Sequence, residues 1–311
     1  VATPPRSMPT LHIAGLVDDV AFHKAVALAE LIQGKAGDQD EVLVEKMPML
    51  EPEWEEFLVA KMKEFGGAAI GHRSSVMILQ DGAYLGGLAA LETLGSDKFK
   101  ASIPAAMDGS FKDKAAKAFI LALAETGNPY CFMEIKVGDS KPRRVVYELY
   151  HHTCPKTCEN FVGLCTSRDA KQSYKGTPFH RVVPGGWVQG GDTVNGDGTG
   201  GQSIFGAPFA DESFAVPFSA PGVLAMASSG PHSNSSQFFV TLEPLEWMNS
   251  RSVAFGRVVK GMAVFRRIES VDLRNEAPVS PVIVKSAGVL DTAVALDADA
   301  NRPTTNFAGL G

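Results

Sequence analysis

Two kinds of hydrophobic pattern alternate over the first 95 residues of the chain. The segment 20–33 carries apolar residues at the spacing of one helix face, whereas 11–16 is short and mostly apolar, as a strand is. Asp81 and Gly82 form a dipeptide that favours a tight hairpin turn. The predicted elements, in chain order, are strand 11–16, helix 20–33, strand 42–47, helix 51–65, a hairpin of strands 76–79 and 83–85, and helix 88–94. This order predicts a small α/β domain over residues 1–95.

From residue 129 the pattern changes to many short β-rich segments separated by glycine and proline turns. Eight segments are predicted as strands, at 131–137, 144–149, 178–183, 186–189, 222–226, 238–241, 253–259 and 282–288. Two segments with helical spacing interrupt them, at 154–165 and 261–270. Many short strands with few helices are typical of a β-barrel or a β-sandwich. The sequence therefore predicts a second, mainly-β domain over residues 129–291.

Residues 96–128 are predicted to connect the two domains through one amphipathic helix at 110–125. We favour a helix that packs on one domain or bridges both over a helix that binds a partner. After residue 291 the chain mixes Asp, Asn, Pro, Thr and Gly, which predicts a flexible tail over 292–311 unless a partner orders it. Two domains are also the natural expectation for a chain of 311 residues.

Charge and hydropathy argue against two classes of partner. The net charge of −6 and the pI of about 5.7 provide no basic surface for nucleic acid or for an anionic membrane. The longest apolar stretches fall short of the roughly 20 residues that a membrane span needs. The first six residues lack the apolar core of a signal peptide. We therefore expect a cytosolic protein without nucleic-acid or membrane partners.

Neither a metal nor a cofactor is predicted. The four cysteines are Cys131, Cys154, Cys158 and Cys165. Cys154 and Cys158 are spaced to share a helix face, as half of a zinc site would be, but no second pair of ligands is evident, so buried reduced thiols are the preferred interpretation. Residues 196–201 satisfy the G-x-G-x-x-G pattern of dinucleotide sites. Since no helical segment follows them, we predict a surface loop there.

The most specific motif is the stretch 179–192, in which Arg181 and Gln189 lie in an apolar run that ends in paired glycines. The motifs that follow it are Met226-Ala227, Ser236-Gln237-Phe238-Phe239, Trp247 and Phe255-Gly256. In order and spacing these motifs resemble those of the cyclophilins, the peptidyl-prolyl cis-trans isomerases, and the resemblance runs from about residue 130 to 291. It implies an eight-stranded β-barrel capped by two helices. Because side chains fill such a barrel, the binding groove is expected on its outer surface.

The resemblance also implies which residues catalyse the reaction and which bind the substrate. Arg181 and Gln189 match the catalytic positions, and the substrate-binding positions are matched by Trp187, Ala227, Ser228, Gln237, Phe239, Trp247 and Met248. Rotation about a peptide bond faces a barrier of about 18–20 kcal/mol, and its transition state is a twisted amide with a basic nitrogen. A guanidinium that donates to that nitrogen binds the transition state selectively, and we expect Gln189 to anchor it. The substrates are proline-containing proteins or peptides, and no cofactor is required.

Four groove positions depart from the family pattern. Gly186 replaces an aromatic residue of the groove wall, and Trp187 replaces a methionine. Ser228 replaces an asparagine, and Ser252 replaces a histidine. The two missing rings remove apolar contact worth roughly 1–3 kcal/mol each when fully buried, although Trp187 can swing in and refill part of the space. We therefore expect an isomerase of reduced activity with weakened cyclosporin binding. The alternative hypothesis is a structural module that holds a partner with little turnover.

The first domain resembles the thioredoxin/glutaredoxin fold in its order of elements, above all over 76–94. Redox activity is excluded because no cysteine precedes Cys131, so a docking or spacer role is expected. This domain and the Gly-Trp groove together are similar to one cyclophilin subgroup, the peptidylprolyl-isomerase-like protein six type, which is associated with ciliated cells. The resemblance implies a cytoskeletal or ciliary partner, bound through the first domain or the tail. It also implies a place in the cytoplasm or in the axoneme of a cilium or flagellum.

Overall fold

The computed structural model of the chain describes residues 9–36, 41–169 and 172–292. The chain divides into two compact units, Val1–Ala122 and Leu123–Gly311. The division falls inside the helix predicted at 110–125. Residues 293–311, which make up almost all of the predicted tail, lie outside the described residues.

All of the predicted strands and helices are present, and no end differs from the predicted one by more than two residues. The helices are α1 (Val20–Lys35), α2 (Glu51–Phe65), α3 (Leu88–Leu94), α4 (Phe111–Glu125), α5 (Pro155–Thr166) and α6 (Met262–Glu269). The strands are β1 (Thr10–Leu16), β2 (Leu43–Met49), β3 (Val76–Gln80), β4 (Ala83–Gly86), β5 (Tyr130–Val137), β6 (Arg143–Leu149), β7 (Phe179–Val183), β8 (Trp187–Gly190), β9 (Val223–Met226), β10 (Phe238–Thr241), β11 (Ala254–Lys260), β12 (Leu273–Arg274), β13 (Ala277–Pro278) and β14 (Val282–Leu290). The short strands β12 and β13 were not predicted from the sequence.

A four-stranded mixed sheet in the order β2-β1-β3-β4 forms the centre of the first unit. Strand β1 runs parallel to β2 and antiparallel to β3, and β3 and β4 form a hairpin. Consecutive residues of β1 face opposite sides: Ile13 packs with Phe22 of α1, and Ala14 packs with Trp54 of α2. The predicted α/β module is therefore confirmed. Its likeness to the thioredoxin fold stays a prediction.

One antiparallel sheet of eight strands forms the second unit, in the order β14-β5-β6-β11-β9-β10-β8-β7. The sheet curls until its two edges meet, where Pro178, just before β7, bridges to Ile283 of β14. The backbone N–H of Val284 also donates to the carbonyl of Thr177, with 3.0 Å between nitrogen and oxygen. An eight-stranded barrel was predicted, and the structure has a curled antiparallel sheet of eight strands whose edges are joined by this short contact.

Side chains fill the inside of the curled sheet. Phe161 of α5 lies at the centre of this core, and its ring centroid is 5.2–5.8 Å from the rings of four other aromatic residues, Tyr147, Tyr174, Phe238 and Phe255. Helix α6 buries Phe265 and Ile268 against the same core. With the interior occupied, a groove for a peptide has to lie on the outer face of the sheet.

The four cysteines are free and buried. Burial raises the pKa of Cys154 to about 11 and the pKa of Cys158 well above its ordinary value, so both thiols stay protonated at neutral pH. Within the described ranges, no group of three or more His, Cys, Asp or Glu side chains is placed to hold a metal ion. No helix in the described part of the chain is both long and apolar enough to cross a membrane.

We predict that Phe161→Ala lowers the free energy of unfolding of the second unit by about 3–5 kcal/mol, because a ring enclosed by four others leaves a cavity when removed. The measurement is urea denaturation of the full chain, followed by near-ultraviolet circular dichroism. Val289→Ala, at a strand position 41% exposed, is the control and should change the free energy by less than about 0.5 kcal/mol. Equal small losses in both variants would contradict the packing described here.

Candidate active site

Four residues form one row across the strands β7, β8, β10 and β9. Arg181 is paired with Gln189, Gln189 with Phe239, and Phe239 with Ala225. Residues that are directly opposite on neighbouring strands place their side chains on the same face of a sheet. Phe238, which precedes Phe239, belongs to the interior core, so the row faces outward. The structure therefore brings together three of the predicted site residues on the outer surface.

A β-bulge precedes Arg181. Phe179 pairs with Gly190, but the next registered pair is Arg181 with Gln189, which leaves His180 as the extra residue. Bulges of this kind redirect the neighbouring side chain and are frequent near active sites. Burial lowers the pKa of His180, and its ring lies against Gly198, where an added Cβ atom would be 2.8 Å from the ring. A neutral, half-buried histidine fits the structural role predicted for it.

An apolar cluster lies beside the row on the outer face. Phe239 is buried and stacks on Phe218, with ring centroids 6.0 Å apart. The ring of Trp187 is 5.9 Å from that of Phe239 and 6.2 Å from that of Trp247. Met248 belongs to the same cluster. Since the side chain of Trp247 is 56% exposed, the cluster reaches the solvent there.

Trp187 extends from this cluster to the polar residues of the row. The guanidinium carbon of Arg181 lies 5.4 Å from the centre of the Trp187 ring, which is a cation–π contact. The indole N–H of Trp187 donates to Oε1 of Gln189 over 3.4 Å. Gly186, immediately before it, supplies no side chain. The tryptophan therefore lies over the region between Arg181 and Phe239, in line with the expectation that it refills part of the groove.

Gln189 and Gln237 form a chain of hydrogen bonds along the row. Nε2 of Gln189 donates to Oε1 of Gln237 over 2.9 Å. Nε2 of Gln237 in turn donates to the backbone carbonyls of Gly198 and Gly200, over 2.9 and 2.8 Å. These two glycines belong to the loop with the G-x-G-x-x-G pattern, which is confirmed as a loop without a following helix. Its carbonyl groups fix the orientation of both glutamine side chains.

A buried carboxylate holds that loop in shape. Asp192 is 1% exposed and accepts four backbone N–H bonds, from Val194, Asn195, Gly198 and Gly200. Burial by itself raises the pKa of this carboxyl group, but the four donors outweigh burial and lower the pKa from 3.8 to about 2. No local pattern in the chain indicates this role, because the donors become available only when the loop closes around the carboxylate.

The structure corrects one predicted contact of Arg181. Its Nε donates to Oε2 of Glu276 over 2.7 Å, and the two side chains are 44% and 47% exposed. Gln189, which was expected to anchor the guanidinium, instead bonds to Gln237 and Trp187. Sequence reasoning missed Glu276 because it lies 95 residues from Arg181 and belongs to the unpredicted hairpin of β12 and β13. Its neighbour Asn275 suggests a turn, but no local pattern shows which strand that turn contacts.

Ala227, Ser228 and Ser252 are the remaining positions of the predicted groove. The backbone N–H of Ala227 donates to the carbonyl of Gln237 over 3.0 Å, and its methyl group borders the apolar cluster. Ser228, the next residue, is exposed, and Ser252 is half-buried just before β11.

Comparison with known proteins agrees with the geometry. The family model described as cyclophilin type peptidyl-prolyl cis-trans isomerase/CLD matches residues 132–289. A bovine (Bos taurus) protein named "Probable inactive peptidyl-prolyl cis-trans isomerase-like 6" is 34% identical over 299 residues, which cover 93% of this chain and 95% of the relative. Proteins with the same name from Homo sapiens and Mus musculus are also 34% identical. The match to the human protein covers 89% of this chain and 90% of the relative, and the match to the mouse protein covers 94% and 95%.

We predict that Asp192→Asn lowers the free energy of unfolding by roughly 2 kcal/mol at pH 7, the contribution expected of a carboxylate with this lowered pKa. Because the pKa is lower in the folded state, that contribution is present above pH 4 and disappears as the pH falls from about 4 to about 2. Wild type and variant should therefore converge in that range when urea denaturation is repeated across pH. Asp139→Asn, at an exposed position in the turn after β5, is the control and should change the free energy by less than about 0.5 kcal/mol at any pH. A constant difference between Asp192→Asn and wild type down to pH 2 would contradict the assignment.

Proposed function

This chain belongs to the cyclophilin family, and we propose that it is a peptidyl-prolyl cis-trans isomerase of reduced activity that acts on X-Pro bonds of protein clients. The observation that carries the proposal is the outward row of Arg181, Gln189 and Phe239. This row sets a partly exposed guanidinium beside an apolar cluster with a solvent-facing side. Both parts are needed, because the apolar cluster binds the proline ring and the guanidinium donates a hydrogen bond to the nitrogen of the peptide bond that rotates.

The chemistry follows from the electronic structure of the amide. In the planar ground state the nitrogen lone pair is delocalised, so it accepts hydrogen bonds poorly. In the twisted transition state the lone pair is localised, and a hydrogen bond from Arg181 becomes strong only then. Such differential binding lowers the barrier without a bond being formed or broken. Gln189 and Gln237 are proposed to bind the peptide backbone, as are Ala227 and Ser228.

Three features of the site support reduced turnover. Trp187 lies over the region between Arg181 and Phe239, where a proline ring has to enter. Gly186 and Ser252 supply no ring to enclose the substrate, and each missing ring forfeits roughly 1–3 kcal/mol of apolar contact. The same features support weakened cyclosporin binding.

The first unit is proposed to direct the chain to its clients. Its order of elements and its mixed sheet support a thioredoxin-like module, and no cysteine is present before Cys131, so thiol chemistry is not proposed for it. A location in the cytoplasm, and a place in a ciliary or flagellar assembly, remain proposals that rest on the family resemblance.

A second candidate function is a structural module that binds a proline-containing partner with little turnover. It is favoured by the contacts of Trp187 with Arg181 and Phe239 and by the names of the relatives, which call those proteins probably inactive. The two functions differ in one measurable respect. A binding module retains affinity for an X-Pro peptide while the exchange rate of its two isomers stays at the uncatalysed value.

We predict that Arg181→Ala lowers kcat/KM for a short X-Pro peptide by roughly 10²-fold, the loss typical of removing one transition-state donor. The measurement is a protease-free assay, in which NMR exchange spectroscopy reports the rate of cis-trans interconversion. Arg267→Ala, which removes an exposed arginine of α6, is the matched control and should leave the rate unchanged. Activity that survives Arg181→Ala would contradict the mechanism, and wild-type binding without rate enhancement would establish the binding module instead.

A further inference from the structure

We propose that Glu276 is a positioning residue that partly neutralises Arg181 and thereby limits the rate of isomerisation. This inference rests on the proposed isomerase function and names a residue that restrains it. The carboxylate of Glu276 and Nε of Arg181 are 2.7 Å apart, which is the distance of a charge-assisted hydrogen bond. The contact occupies one edge of the guanidinium, while the ring of Trp187 lies against the same group.

The positive φ angle of Glu276 is unusual for a glutamate. Strands β12 and β13 are joined by a two-residue turn, Asn275-Glu276, with φ angles of +50° and +64°. Turns with two positive φ angles strongly prefer Asn-Gly, because asparagine tolerates this region and glycine has no Cβ atom. A glutamate at the second position is therefore unfavourable for the turn itself. Conformational strain of this kind points to a role for the side chain outside the turn.

The hairpin is also fixed to the strand that carries the arginine. The backbone N–H of Val182 donates to the carbonyl of Glu276 over 2.7 Å. Glu276 thus binds β7 twice, through its carbonyl at Val182 and through its carboxylate at Arg181. Because two consecutive residues of one strand are bound, the carboxylate has a defined position relative to the guanidinium.

This position affects the proposed chemistry directly. Arg181 has to donate its strongest hydrogen bond to a nitrogen whose lone pair is exposed only in the transition state. A carboxylate in contact with the guanidinium offsets its positive charge and weakens donation to any second acceptor. The neutral amide of Gln189, in contrast, lies opposite Arg181 on β8 without bonding to it. Removing the carboxylate should therefore increase activity, whereas removing the arginine should lower it strongly.

The test compares variants of the full chain on an uncharged X-Pro peptide. Glu276→Gln removes the charge and keeps the shape, and Glu276→Gly removes the side chain from a backbone conformation that suits glycine. Each should raise kcat/KM by about two- to fivefold, the range expected for release of one partly exposed ion pair. Asn275→Gly changes the same turn but keeps the carboxylate, so it is the matched control and should leave the rate unchanged. Thermal unfolding should show that Glu276→Gly is at least as stable as wild type.

Two further readouts separate positioning from a merely structural role. The gain of Glu276→Gly should disappear in an Arg181→Ala background, since the glutamate acts through the arginine. Raising the ionic strength from about 0.01 to 1 M shortens the screening length from roughly 30 to 3 Å, so wild-type kcat/KM should rise while Glu276→Gln stays constant.

The outcomes distinguish this inference from the proposed function. If wild type is active and both Glu276 variants show unchanged or lower kcat/KM, Glu276 does not restrain Arg181, and the isomerase function stands. If wild type and every variant, including Glu276→Gly, leave the exchange rate at the uncatalysed value, both the inference and the proposed isomerase function are wrong. Activity that appears only when the carboxylate is removed would support both.

Discussion

One sheet supplies both the core and the candidate site, and the alternation of side chains along its strands separates the two. Phe238 points into the interior and packs with Phe161, whereas Phe239 points outward and stacks on Phe218. A shift of one residue in the pairing of β10 would exchange these two rings and place the site residues of that strand inside. The packed interior therefore fixes the register, and the register in turn places Arg181, Gln189 and Phe239 in one outward row.

The two halves of the site are held by different means. Gln237 and Gln189 are oriented by backbone carbonyls of a loop that closes around the buried carboxylate of Asp192, so they form a rigid part of the surface. Arg181 lies on β7, the last strand in the order of the sheet, and its partner comes from the small hairpin of β12 and β13. A hairpin that covers a sheet edge protects it from pairing with other chains. Here the same hairpin also brings a carboxylate to the guanidinium.

Membership of the cyclophilin family and the geometry of the site support the proposal of an isomerase whose parts are present but restrained. The guanidinium, the apolar cluster and the glutamine pair occur together on one face, yet Trp187 and Glu276 both contact the arginine that the chemistry needs. The same surface therefore fits both proposals, a restrained isomerase and a binding module. The contacts of Arg181 with Trp187 and Glu276 decide between them.

Hydrophobic period, turn residues and motif spacing are local properties of the chain, and they predicted the family, the site residues, every α-helix and every strand except β12 and β13. The eight strands of the curled sheet and the loop at 196–201 are among the elements predicted in this way. The partners of the site residues, in contrast, followed only from the packing of distant segments. Glu276 reaches Arg181 across 95 residues, and Asp192 gains its donors only after the loop has closed. Such contacts depend on how distant segments pack against each other, and no periodic pattern in the chain predicts that packing.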